Sequence, residues 1–245
     1  MKILAIDTSS QNCSIAIVEA FSPSAAYSSN NFSVIAFKNS NDEKTHSQKL
    51  MPMLSQMFEE NNLSLKDINV LSCALGPGSF TGIRIGLATV KAFCDSQNIP
   101  IVGITSLESL AYNVSDNGLI FPIIDAKNEN IYSAAFQCNE QAYKLKINEF
   151  ADNINNALNK FINIATLDVP IYFVGNGSII YKDLIEKTFN GFPIHFSNSN
   201  EQSAISLAKC AFVKYCNGEY GDSNSVSPVY LRKSQAERIA DGEPI

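Results

Sequence analysis

The sequence predicts an α/β fold made of two related halves, and three observations carry that prediction. An apolar strand, a turn headed by aspartate and a second apolar strand occur from Lys2 to Val18 and again from Leu119 to Phe136. An apolar strand, a glycine turn and a helical pattern run from Val70 to Gln97 and again from Ile171 to Phe189. Both landmarks keep the same order, which is a stronger sign of duplication than either alone.

In the first half, Ile3-Leu4-Ala5-Ile6 and Cys13-Ser14-Ile15-Ala16-Ile17-Val18 flank the polar turn Asp7-Thr8-Ser9-Ser10-Gln11-Asn12, the pattern of a hairpin. The Ser-, Ala- and Asn-rich stretch Phe21 to Asn31 reads as a surface loop, and a third strand is expected near Ser33 to Phe37. A helix is expected from about Thr45 to Glu60, because Leu50, Met53, Leu54, Met57 and Phe58 recur at helical spacing; Pro52 should kink it or delay its regular start. The apolar run Val70 to Leu75 leads into Gly76-Pro77-Gly78-Ser79-Phe80-Thr81-Gly82-Ile83-Arg84-Ile85-Gly86-Leu87, a helix to about Gln97 and a short strand Ile99 to Ile104.

In the second half, Leu119 to Ile124 and Ile131 to Phe136 flank Asp125-Ala126-Lys127-Asn128-Glu129-Asn130, so Asp125 takes the place of Asp7. Gly175-Asn176-Gly177-Ser178 echoes the longer glycine stretch. Helices are expected near Asp152 to Ile164, Ile179 to Phe189 and Ser203 to Cys216, the last with Ser203 as N-cap and Ile205, Ala208, Phe212 and Tyr215 on one face. The expected organisation is a first half over 1–104, completed by the returning helix 203–217; a second, reduced half over 105–202; and a tail over 218–245 that is polar and flexible from Ala236.

A chain of 245 residues with 45% hydrophobic and 17% charged residues can bury a full core without staples. A net charge of −6, with 18 lysines and arginines that nowhere interleave with aromatics, argues against nucleic-acid binding by this chain alone. Cys13, Cys73, Cys94, Cys138, Cys210 and Cys216 form no Cys-x-x-Cys pair and mostly sit in apolar runs, as reduced core thiols do. The apolar run after Lys2 is far shorter than a signal peptide's stretch of about 7–15 residues, and no span approaches the ~20 of a membrane helix, so a cytoplasmic protein is expected.

The glycine stretch can serve two ends. A strand, tight turn and helix N-terminus capped by Ser79 or Thr81 make an anion site; equally, Gly82, Gly86 and Ala88 can be small so that the helix packs closely on the sheet. No Gly-Lys-Ser/Thr closes it as a Walker loop, and no acidic residue follows a second strand as in a Rossmann unit. Asp7 with Thr8 and Ser9 can hold a hydrated cation and donate to phosphate, with Gly175 and Gly177 as the matching turn beside Asp125; each aspartate can equally close its own hairpin. Opposed hairpins of this kind are the geometry of actin-like and sugar-kinase-like phosphotransferases, and the start resembles RNase H-like nucleases. A nuclease would need further carboxylates, and Glu19 alone does not supply them. His46 reads as a helix-start or packing residue, since a metal site on its helix would want a ligand where Leu50 stands; His195 reads as structural.

Ile6-Asp7-Thr8-Ser9, His46-Ser47-Gln48-Lys49-Leu50-x-Pro52, the glycine stretch Gly76 to Gly86, Asp125-Ala126-Lys127 and Pro228-x-Tyr230-Leu231-Arg232 together resemble the TsaB (YeaZ) family of bacterial tRNA threonylcarbamoyladenosine biosynthesis subunits, over nearly the whole chain. The resemblance implies a duplicated actin-like ATPase (RNase H-like) fold. It implies a paralogue of TsaD, the subunit that transfers threonylcarbamoyl from its adenylate to the adenosine beside the tRNA anticodon (position 37). TsaD carries His-x-x-x-His, which here reads His46 and Leu50, so no catalytic and no metal residues are expected, nor a cofactor required by this chain. It further implies binding and activation of TsaD, with the ATPase TsaE in the assembly, tRNA held only through the complex, and a homodimer when alone. The pairing surface is expected on the helices carrying His46, Leu50, Leu54, Met57, Arg84 and Ile85. Lys127 stands where many relatives have Arg, and the loop Phe21 to Asn31 is longer than usual. An independent actin-like ATPase or kinase is the alternative; a peptidase would need a metal or nucleophile pair that the sequence does not offer.

Overall fold

The computed structural model describes residues 1–21, 32–40, 45–140 and 142–232. The loop expected over Phe21 to Asn31, beyond Phe21 itself, and the tail from Ala236 lie outside them.

Strand β1 (Lys2–Asp7) pairs antiparallel with β2 (Cys13–Ala20), which pairs antiparallel with β3 (Phe32–Ser40). On its other side β1 runs parallel to β4 (Val70–Ala74), and β4 parallel to β5 (Ile101–Ile104), giving the order β3-β2-β1-β4-β5. A second sheet repeats this plan: β6 (Gly118–Asp125) is antiparallel to β7 (Asn130–Asn139), β7 to β8 (Ala142–Asn153), and β6 is parallel to β9 (Ile171–Val174), which is parallel to β10 (Ile194–Phe196). The order β10-β9-β6-β7-β8 matches the first strand for strand. This is the duplicated actin-like fold, with Asp7 and Asp125 closing equivalent strands.

Alternation along each strand divides the core. Leu4, Ile6, Ile15, Ile17, Leu71 and Cys73 face helices α1 (His46–Glu60) and α2 (Phe80–Gln97). Ile3, Ala5, Ala16, Val18, Val70 and Val102 face α7 (Ala204–Cys216), whose first turn Ser203 caps by accepting from the Ile205 N–H. In the second sheet Phe121, Phe173 and Ile131 pack on α4 (Ile154–Ile162), while Ile120, Ala134 and Val174 pack on α3 (Ser106–Ala111). Helices α3 and α7 touch, joined by the Lys214–Glu108 ion pair at 2.8 Å and the Ser206–Asn113 hydrogen bond at 2.5 Å.

Two expectations change. Pro52 does not delay the helix: α1 begins at His46, held by a reciprocal cap between Thr45 and Gln48, and runs unbroken past the proline. The reduction of the second half lies in its helices, because all five strands are present and the 18-residue α2 is matched by the short α5 (Asn176–Ile180) and α6 (Lys182–Thr188). Among the described residues no helix is long and apolar enough to cross a membrane.

Candidate functional site

The turn after β1 and the glycine stretch before α2 are one unit. Asp7 is fully buried, and its Oδ1 accepts from the Ser9 N–H at 2.9 Å and the Ser9 hydroxyl at 2.7 Å. Its Oδ2 is buried with no partner among the described residues. Burial pushes the Asp7 carboxyl above its ordinary value, against the opposing pull of the Ser9 hydrogen bonds and the nearby His46. The Thr8 hydroxyl donates to the Gly82 carbonyl at 2.7 Å, and the Ser79 N–H donates to the Ser9 carbonyl at 2.7 Å.

Glycine is required where these segments meet. A Cβ added at Gly78 would collide with the Ser9 carbonyl, one at Gly82 with the Thr8 carbonyl, and one at Gly86 with the Thr8 hydroxyl. The Thr8 and Ser9 hydroxyls both donate within the chain, to the Gly82 carbonyl and to Asp7 Oδ1. The glycines bring α2 close to the turn after β1, and Ser79 caps α2 by accepting from Gly82 N–H at 3.2 Å.

His46 opens α1, and its Nε2 donates to the Ser10 carbonyl at 2.8 Å. One turn later Leu50 points into the core, as do Leu54 and Met57, each 1% exposed. Those three cannot be the surface contacts expected of them, because the apolar spacing that marked them as a face is the spacing of the buried face. The outward residues of α1 are Ser47, Gln48, Met51, Pro52, Ser55, Gln56, Glu59 and Glu60. On α2, Arg84 is exposed and Ile85 half-buried; Ala88 is exposed too, so unlike Gly82 and Gly86 it takes no part in the close packing expected of it. His195 lies exposed on β10, stacked on Tyr172 with centroids 5.1 Å apart. The Cys73 thiol, pushed to about 12 by burial and then by the Asp7 charge, is an inert packing group.

The second half repeats the unit with different chemistry. Asp125 Oδ2 pairs with the Lys127 ammonium at 3.0 Å, and its Oδ1 accepts from the Lys127 N–H and the Tyr181 hydroxyl, both at 3.2 Å. Gly175, at φ +102°, and Gly177 pack against Ile123 so closely that a Cβ on either would clash with it. The Gly175 N–H donates to Asn200 Oδ1 at 2.9 Å. So Asp7, Thr8 and Ser9 gather with Gly82 and His46, while Asp125, Gly175 and Gly177 gather with Tyr181 and Asn200.

Residues 226–232 form a strap across both halves. Val229 N–H donates to the Leu75 carbonyl at 2.8 Å, Tyr230 stacks on Phe80 with centroids 4.6 Å apart and planes 9° from parallel, and the Arg84 Nε–H donates to the Tyr230 hydroxyl at 2.8 Å. Arg232 then donates to the Ala126 carbonyl at 3.3 Å. No local pattern in the sequence announces these pairings, since 146 positions separate Arg84 from Tyr230.

A family model described as "TsaD: tRNA N6-adenosine threonylcarbamoyltransferase" matches residues 39–238. The chain is 31% identical over 242 residues to the tRNA threonylcarbamoyladenosine biosynthesis protein TsaB of Bacillus subtilis (strain 168), covering 97% of this chain and 96% of that relative. It is 32% identical over 143 residues to the protein of the same name from Escherichia coli (strain K12), covering 57% of each. Among solved structures, YeaZ from Pseudomonas aeruginosa shares the fold, with a TM-score of 0.73 at 21% identity, covering 94% of this chain and all 100% of that one.

Proposed function

This chain belongs to the TsaB (YeaZ) family, and we propose that it serves tRNA threonylcarbamoyladenosine formation as a non-catalytic subunit that binds and activates a TsaD-like transferase. The carrying observation is the whole-length likeness to TsaB together with the filled geometry of the first-half site. Where a phosphate or metal would sit, Thr8, Ser9 and His46 bond to their own chain and Leu50 is core. The outward faces of α1 and α2, with Met51, Arg84, Ile85 and Ala88, are the docking surface of this reading, and Leu50, Leu54 and Met57 support it from beneath. The same faces pair two copies when the transferase is absent, and a TsaE-like ATPase joins the assembled pair. Activation requires that the chain bind the active state of the transferase better than the inactive one.

The test is reconstitution of tRNA modification from the transferase, the ATPase, threonylcarbamoyl-adenylate and tRNA, with each component omitted in turn. Modification that collapses without this chain, while this chain alone yields no product, is the expected result. Unchanged modification in its absence overturns the reading.

A further inference from the structure

We propose that the strap makes Arg84 a preset fork for a carboxylate on the protein partner, with Tyr230 and Phe80 as the residues that position it. This rests on the reading that the outward face of α2 is a docking surface.

Arg84, Arg232 and Arg238 are the arginines of a chain otherwise supplied with lysine. Arginine differs from lysine in being planar, in stacking on rings and in presenting a rigid pair of terminal amino groups that match a carboxylate. Arg84 is placed to use each of these properties. Phe80 and Arg84 lie one helical turn apart on α2, so their side chains share a face. Tyr230 lies parallel on Phe80, its hydroxyl takes the Arg84 Nε–H, and the guanidinium carbon stands 5.6 Å from the ring centroid. The strap is itself fixed: Val229 is hydrogen-bonded to Leu75, and Leu231 packs with the cluster containing Leu107 and Leu110.

One of the five guanidinium donors is thus used for orientation. Among the described residues no carboxylate pairs with Arg84, which is exposed. Holding a long side chain in one arrangement before binding removes part of the ordering cost of association. A net charge of −6 disfavours a nucleic-acid phosphate as the group received and leaves an aspartate or glutamate of a protein as the match.

The experiment measures the affinity of full-length chain for the TsaD-like transferase by calorimetry, for wild type, Arg84→Lys, Tyr230→Phe and the double variant. Each is also melted alone to verify the fold. Arg84→Lys keeps the charge but loses the fork, and should weaken binding about tenfold. Tyr230→Phe keeps the ring but loses the hydroxyl, and should weaken binding by about threefold in the wild-type background yet change nothing further beside Arg84→Lys. A Tyr230→Phe effect of equal size in both backgrounds makes Tyr230 merely structural and overturns the proposal. So does an Arg84→Lys variant that binds the transferase normally, including one that lowers only tRNA retention by the complex, since the group received is then a phosphate. Wild-type chain that fails to bind the transferase at all overturns the docking reading instead.

Discussion

Gly82 and Thr8 hold the first half together at a point where no side chain fits. The Thr8 hydroxyl bonds the Gly82 carbonyl at 2.7 Å while the Thr8 carbonyl occupies the space a Gly82 Cβ would need. The His46 ring closes the same space from α1, with its Cδ2 3.0 Å from that Cβ position.

Gly82→Ala should therefore cost about 2 kcal/mol or more, because backbone on one side and a hydrogen-bonded ring on the other cannot yield. Gly191→Ala is the comparison: nothing lies within 4 Å, and only its φ of +87° opposes the change. That cost is about 1 kcal/mol. Urea denaturation of both variants checks the order, and a Gly82 variant less affected than the Gly191 one removes the packing account.

The two faces of α1 should separate in mutagenesis. Leu54→Ala leaves a cavity in the first core and should cost about 2–5 kcal/mol. Met51→Ala, at a site 51% exposed, should change stability by less than about 0.5 kcal/mol while weakening transferase binding. Thermal melts read the first effect and calorimetric titration the second.

Asp7 should make stability depend on pH. Its folded carboxyl holds a proton above the ordinary value of 3.8, so within the window from 3.8 upward the folded chain is protonated where the unfolded chain is not. Stability from this group is thus present at the acid end and falls as pH rises through the window. Asp7→Asn cannot ionise and should gain on wild type as pH climbs from 3.8 upward, measured by urea midpoints. A constant difference between the two proteins across that range would falsify the assignment.

Ser14→Ala should loosen α7 from the first sheet, since the Ser14 hydroxyl accepts the buried Ala204 N–H at 3.0 Å. An unpaired N–H there costs about 1–3 kcal/mol. Equilibrium unfolding checks it; stability within error of wild type would mean that water or another acceptor replaces the hydroxyl.

Strands were legible in the sequence where one chain segment carries the whole signal. Ile3 to Ile6, Val70 to Ala74 and Leu119 to Ile124 are near-continuous apolar runs because both sheet faces are covered, and Asp-headed turns end the first and third, the glycine turn the second. Strand β8 escaped, because its pattern from Ala142 to Asn153 is mostly half-exposed and lacks an unbroken apolar run. The six-residue α3 is too short for periodicity to reveal. In the site, the close approach of α2 to the first sheet was readable as one of two uses of glycine, but its partner Thr8, 74 positions from Gly82, was not. The inward direction of Leu50, Leu54 and Met57 was not, since helical spacing identifies an apolar face without saying whether core or partner covers it.

The exchange of helices between the two sheets sets a timetable for synthesis. The face of Ile3, Ala5, Ala16 and Val18 is finished only by α7, and 100 positions separate Ile104, the last residue of that sheet, from Ala204, the first of α7 (204 − 104). At about 5–20 residues per second a ribosome needs some ~5–20 s to cover that distance. Throughout it the first sheet is complete but bare on one side. A nascent chain stalled before Cys216 presents that apolar sheet to whatever holds emerging polypeptides, so α7, made a hundred positions later, is the helix that releases the first strands from such custody.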